Sequence, residues 1–191
     1  MADFLEVLDF WFGLPGSPDY GRPRKEWFRK SDEFDAAIRT RFLDLHQRAA
    51  DGALQPWRAA PDSLLALIVV LDQFSRNLYR GSSRAFAGDA QALGLAQLAV
   101  SRGDDRALIP VQRCFVYLPF EHAEDLAAQR RCLELFEGLR GDPDSADSID
   151  YARRHYDIIE RFGRFPHRNA ILGRVSTPEE IEFLKQPGSG F

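Results

Sequence analysis

The sequence predicts an all-α fold of antiparallel helices, and three observations lead there. Alanine and leucine, which favour helix, number 44, whereas valine, isoleucine and threonine, which favour strand, number 17. Apolar side chains recur at spacings of three and four along most of the chain. No segment alternates apolar and polar residues for long enough to need a sheet. Helices of about 10–18 residues joined by short turns pack against their chain neighbours, as in a bundle or an α-solenoid.

Each element has its own signal. Phe4, Leu5, Leu8 and Trp11 form the first helical stripe, and Gly13 stops it. Asp32 can cap a long second helix carrying Phe34, Ile38, Phe42, Leu45 and Ala49, which Gly52 ends. Pro61-Asp62-Ser63 opens a helix from about Leu64 to Tyr79, stopped by Gly81. Its run Leu64–Leu71 reads as strand on pattern alone, but the continuation Phe74, Leu78 makes it a buried helix. Asp89 to Val100 forms another, ended by Gly103. A helix over Val111–Leu118 meets Pro119, which is expected to break it, and helix resumes from about His122 to Leu139. Gly141-Asp142-Pro143-Asp144-Ser145 is a loop, followed by a helix from about Ser148 to Phe162. Thr177-Pro178-Glu179-Glu180 is a capping box opening a short last helix. No internal linker forces a boundary, so residues 1–191 are expected to be one domain, with a loose tail from about 186.

Composition excludes several classes of function. The net charge of −4 is unlike that of a general nucleic-acid binder. Only three of the 25 basic residues are lysines, so donors are overwhelmingly planar arginine forks, suited to carboxylates and phosphates. The longest apolar run has eight residues, too short for a membrane span, and Met1–Glu6 lacks the features of a signal peptide. Cys114 and Cys132 sit in apolar helical settings and read as buried free thiols of a reducing compartment, which makes the expected location cytoplasmic. Trp11, Trp27 and Trp57 are expected in the core. There is no phosphate-binding loop, no dinucleotide fingerprint, no nucleophile elbow and no His-Glu-x-x-His. No cofactor and no metal site is expected.

Three polar segments stand out against this apolar background. In the first, Asp72, Gln73, Arg76, Asn77 and Arg80 fall within an arc of roughly 140° on one helix, and Asp72 and Arg76 are spaced to pair. Such a stripe must meet solvent, an internal network or a ligand. The second, Tyr117 to Leu126, places Glu121 and His122 beside Pro119 and Phe120, with Glu124 and Asp125 at a helix start. A carboxylate beside a histidine suits either a structural hydrogen bond or an acid–base pair. The third runs from Tyr151 to Arg174 and carries six arginines against Asp157 and Glu160. His155 lies on its core side, while Arg161, Arg164, His167, Arg168 and Asn169 surround a tight turn at Gly163 and Pro166. A short apolar helix is expected after His167-Arg168-Asn169, its free N–H groups adding to an anion site. These arginines equally suit ion pairs with the acidic second segment.

The same segments carry a family resemblance. Val7-Leu8-Asp9-Phe10-Trp11-Phe12-Gly13, Leu71-Asp72-Gln73-Phe74-Ser75-Arg76-Asn77, Tyr117 to Asp125 and Arg161 to Asn169 make the chain resemble bacterial proteins grouped as domain of unknown function 924. The resemblance runs from about Phe4 to Leu184, with Ser75 where the family has proline and Ala123 where it has serine. It implies a right-handed, all-helical array similar to tetratricopeptide-repeat proteins. It implies no established activity and hands over no catalytic residues.

Three functional readings follow. The leading one is a helical binding module that holds an anionic small molecule or a peptide in a concave site. Arg76, Asn77, Arg164, Arg168 and Asn169 are the expected donors, with Asp72, Gln73, Glu121, His122, Arg161 and His167 also lining it. Neither nucleic acid nor membrane is an expected partner. The second reading is a metal-independent, hydrolase-like enzyme using His155 or His122 with Glu121. In the third, the whole polar set is an internal network that fixes helix register.

Overall fold

A computed structural model describes residues 3–190; Met1, Ala2 and Phe191, and the expectations that concern them, lie outside that range. The described residues form helices joined by turns and irregular segments, with no strand among them. The first helix, α1 (Phe4–Phe12), is capped by the Asp3 side chain and ends at Gly13, whose φ of 87° spares a side-chain residue a strained left-handed turn. The second, α2 (Asp32–Ala50), is capped not by Asp32 but by Ser31, which accepts from the Phe34 N–H at 3.2 Å.

The third rod, α3, spans residues 61–78 and changes pitch midway. It starts as α-helix over Pro61–Val69, widens into a π turn over Val70–Phe74 and tightens again over Ser75–Leu78. A π turn takes one residue too many for the ordinary ladder. Ser75 compensates: its hydroxyl donates to the Leu71 carbonyl at 2.6 Å. That spends the only hydroxyl proton, so the bond between Ser75 Oγ and His46 Nε2 at 2.7 Å is donated by the imidazole.

The remaining helices are α4 (Asp89–Arg102), α5 (Pro110–Glu121), α6 (Leu126–Glu137), α7 (Ala146–Phe162) and α8 (Pro178–Leu184). Pro119 does not break its helix as expected, because α5 passes through it to Glu121. The prolyl ring and its neighbours from Cys114 to Glu121 are all buried, and that burial outweighs one missing backbone bond. Helix resumes at Leu126 rather than His122, capped by Asp125, whose carboxylate accepts from the Ala128 N–H at 2.7 Å. Residues after Asn169 do not form the expected apolar helix: Pro166–Arg168 is a single 3-10 turn and residues 170–173 are turns.

Rod α3 is the axis of the molecule. Ser63 to Val70 are buried without exception, and the rod packs on α1, α2, α4 and α5. Helices α4 to α7 then pack each on its successor. The main core includes Trp11, Trp27, Phe42, Phe74, Phe115 and Phe136, while Trp57 is half-buried against Phe4. A second, small apolar cluster of Ile158, Ile159 and Phe165 lies apart from it. Between them stand the polar segments.

Candidate functional site

The centre begins with the π turn, which sets Asp72 and Gln73 into the interior at 1% and 5% exposure. Asp72 Oδ1 forms an ion pair with Arg76 Nη1 at 3.2 Å and contacts His122 Nδ1 at 2.9 Å, while Gln73 Nε2 donates to Oδ2 at 2.6 Å. Burial opposes ionisation of Asp72, but Arg76 and His122 outweigh it and hold the carboxyl below the ordinary carboxylate range. An ionised Asp72 can only accept, so His122 carries its proton on Nδ1 and its Nε2 is the free lone pair. Burial, followed by Arg76, lowers the pKa of His122 and keeps the imidazole neutral.

A glycine brings the second carboxylate in. A Cβ on Gly88 would stand 2.7 Å from the Leu71 carbonyl oxygen, so only glycine lets the start of α4 approach the π turn this closely. The next residue, Asp89, then receives Arg76 in a fork, at 3.0 and 3.2 Å, and Arg168 at 3.4 Å. Arg168 also donates to the His122 carbonyl at 3.0 Å, and its guanidinium lies 4.7 Å and 4.4 Å from the Phe86 and Phe165 rings. Burial, with Arg76 nearby, lowers the Arg168 pKa to about 10, so the group stays charged near neutrality. Its Nε is buried with no hydrogen-bond partner among the described residues.

The end of α5 is secured from inside. Buried Gln129 donates to the carbonyls of Glu121 at 2.6 Å and Ala123 at 2.9 Å, satisfying groups the helix terminus leaves open. Glu121 is thereby fixed with Oε1 3.3 Å from His155 Nδ1. That nitrogen also lies 2.9 Å from the Tyr151 carbonyl, which can only accept, so Nδ1 bears the His155 proton. Burial, then His122, pushes the His155 pKa down to about 2. Burial, then Asp72, pushes Glu121 up to about 8, and its Oε2 is buried with no partner among the described residues. Two neighbouring carboxyls are thus driven in opposite directions: Asp72 ionised, Glu121 carrying a proton near neutrality.

Seven of the sequence candidates therefore meet: Asp72, Gln73, Arg76, Glu121, His122, His155 and Arg168. His167 stands at the margin, its ring 5.6 Å from that of Phe165, and burial pushes its pKa down to about 4. The others are drawn elsewhere. Asn77 and Arg80 both bond Asp35 of α2. Arg161 pairs with Glu179 at 2.8 Å, and Arg164 forks onto Glu180 at 2.6 and 2.7 Å. Asn169 bonds the same Glu180 and Ser176. Of the acidic second segment, Glu124 takes Arg174 and the Phe165 N–H, at 2.7 Å for the latter. Sequence reasoning missed Asp89 and Glu180 as partners, with the capping box the one signal near Glu180; it offered the acidic second segment to Arg161, Arg164 and Arg168, whereas its Glu124 takes Arg174.

A family model described as a bacterial protein of unknown function, DUF924, matches residues 7–188. The chain belongs to the DUF924 family. A solved structure titled protein of unknown function ATU0120 from Agrobacterium tumefaciens is 42% identical, covers 95% of this chain and 96% of its own, and superposes with a TM-score of 0.84. No functionally curated protein matches. Among the described residues of this DUF924 member, no cluster of histidine, cysteine or carboxylate side chains suits a metal ion. No described helix is long and apolar enough to cross a membrane.

Proposed function

We propose that this DUF924 protein is an enzyme that moves a proton with His122 while Arg76 and Arg168 hold a small anionic substrate. The observation that carries the reading is the Asp72–His122 pair at 2.9 Å, which leaves Nε2 of a neutral, partly exposed imidazole as a base of fixed tautomer. Glu121, with its proton retained, is the matching acid, because a site that splits two carboxyls supplies both halves of acid–base chemistry. Hydrolysis of a phosphorylated or acylated metabolite suits this set. The two buried free thiols support a reducing, cytoplasmic setting.

The test is turnover of acetyl phosphate, p-nitrophenyl phosphate and p-nitrophenyl acetate. Turnover of any of them is expected to fall by about 10²–10⁴-fold in His122→Asn with the melting temperature retained. The unspent Arg168 Nε favours a second reading, a binding module for an anionic small molecule or peptide terminus. Saturable stabilisation by inorganic phosphate, with none of the three probes turned over, would replace the first reading by the second.

A further inference from the structure

A cleft of about 250 Å³ lies between the end of α2, the 3-10 turn Gln55–Ala59 and α4. Its walls are mixed: Ala49, Leu54, Leu67 and Leu95, themselves buried from solvent, line it together with Gln55, Arg58 and Gln91. Gly94 forms part of the lining, in the interior of α4, where glycine weakens a helix relative to alanine. Nothing in the packing asks for that glycine. Gly94 is exposed and a Cβ built there meets no atom within 4 Å, so a side chain at 94 has open space beside the cleft.

The polar groups at the rim are unequal. Gln91 is spent on the Ala49 carbonyl at 3.2 Å, and Gln55 on the Gly52 carbonyl at 3.1 Å. Arg58, an exposed residue, gives one N–H to the neutral Gln55 amide at 2.9 Å and has no ion-pair partner among the described residues. A guanidinium without an ion-pair partner beside buried alanine and leucine side chains complements a short hydrocarbon body ending in a carboxylate. From the open space beside Gly94, the buried apolar side chains in the lining and an Arg58 without an ion pair, we infer that this cleft binds a small alkyl carboxylate. The cleft shares no residue with the acid–base centre and does not depend on that reading.

The probe is hexanoate, titrated into the intact protein while backbone amide shifts are followed, with hexanol as the uncharged control. Saturable shifts confined to residues 49–58 and 90–95 are expected, with hexanol about tenfold weaker or worse. Arg58→Gln is expected to weaken hexanoate by about tenfold or more, the loss of one charge-assisted contact. Gly94→Leu is expected to abolish binding while raising the melting temperature, because it fills the cleft and improves the helix. Absence of saturable shifts in the cleft, equal binding of hexanol, or unchanged affinity in Gly94→Leu would overturn the assignment. Shifts around His122 alone would overturn it too, while supporting a site at the acid–base centre.

Discussion

Glu121 shows how far one side chain can be moved by its surroundings. Its buried carboxyl keeps its proton in the fold up to about pH 8, whereas an unfolded glutamate releases it near 4.3. Between those values the folded chain binds more protons than the unfolded one, so stability falls as pH rises. The histidines act in the opposite sense. His122, His155 and His167 stay neutral in the fold below their unfolded value, so they weaken it as pH falls, but only below about 6.5. From about pH 6.5 to 8 the Glu121 slope therefore stands alone among the groups of this centre. The melting temperature is expected to decline across that interval in the native chain and to stay level in Glu121→Gln. An equal decline in the variant would show that Glu121 is already ionised at neutral pH.

Among the elements, those that position the centre are the ones that depart from regular helix. The π turn of α3 turns Asp72 and Gln73 inward, and Gly88 lets α4 close on it. Pro119 lies inside α5 two residues before the Glu121–His122 corner, which Gln129 of α6 and Arg168 then satisfy. Helix α8 is held differently. It has seven residues, too few to persist by itself, and relies on its cap: Thr177 Oγ1 accepts from the Glu180 N–H at 3.2 Å. Glu180 answers from the Thr177 N–H at 2.7 Å while holding Arg164, whose hydrogen bonds lower the Glu180 pKa to about 2. Thr177→Ala is expected to cost about 1 kcal/mol, seen as faster amide exchange in residues 178–184 with α1 to α3 unaffected.

Across the whole molecule, one large apolar core and one small cluster are separate, and helix α7 supplies residues to both, with polar contacts alongside it. Arg174 is one tie. It pairs with Glu124, donates to the Phe165 carbonyl at 3.1 Å and reaches the Asn169 side chain at 2.9 Å. Charge-assisted bonds of this kind contribute about 1.5–3 kcal/mol each when partly buried. Arg174→Gln is expected to raise amide exchange about tenfold or more over residues 163–176, leaving protection along α3 unchanged. Uniform loss of protection across the chain would instead show that the two clusters unfold as one unit.

The all-helical class, and the helices themselves within a few residues, were legible because helix periodicity and glycine stops are local properties of the chain. Seven residues of the centre were legible too, since a charged residue inside an apolar segment is conspicuous wherever it lies. Their partners were not. An arginine is satisfied by any carboxylate within reach, and reach is decided by how helices far apart in sequence lie against each other. So Arg164 and Arg161 went to the last helix, Asn77 to α2 and Arg168 to Asp89, 79 positions away. The passage of α5 through Pro119 and the widening of α3 at Asp72 belong to the same category. In each, burial in the assembled core outweighs the local preference, and that balance exists only once the helices have packed.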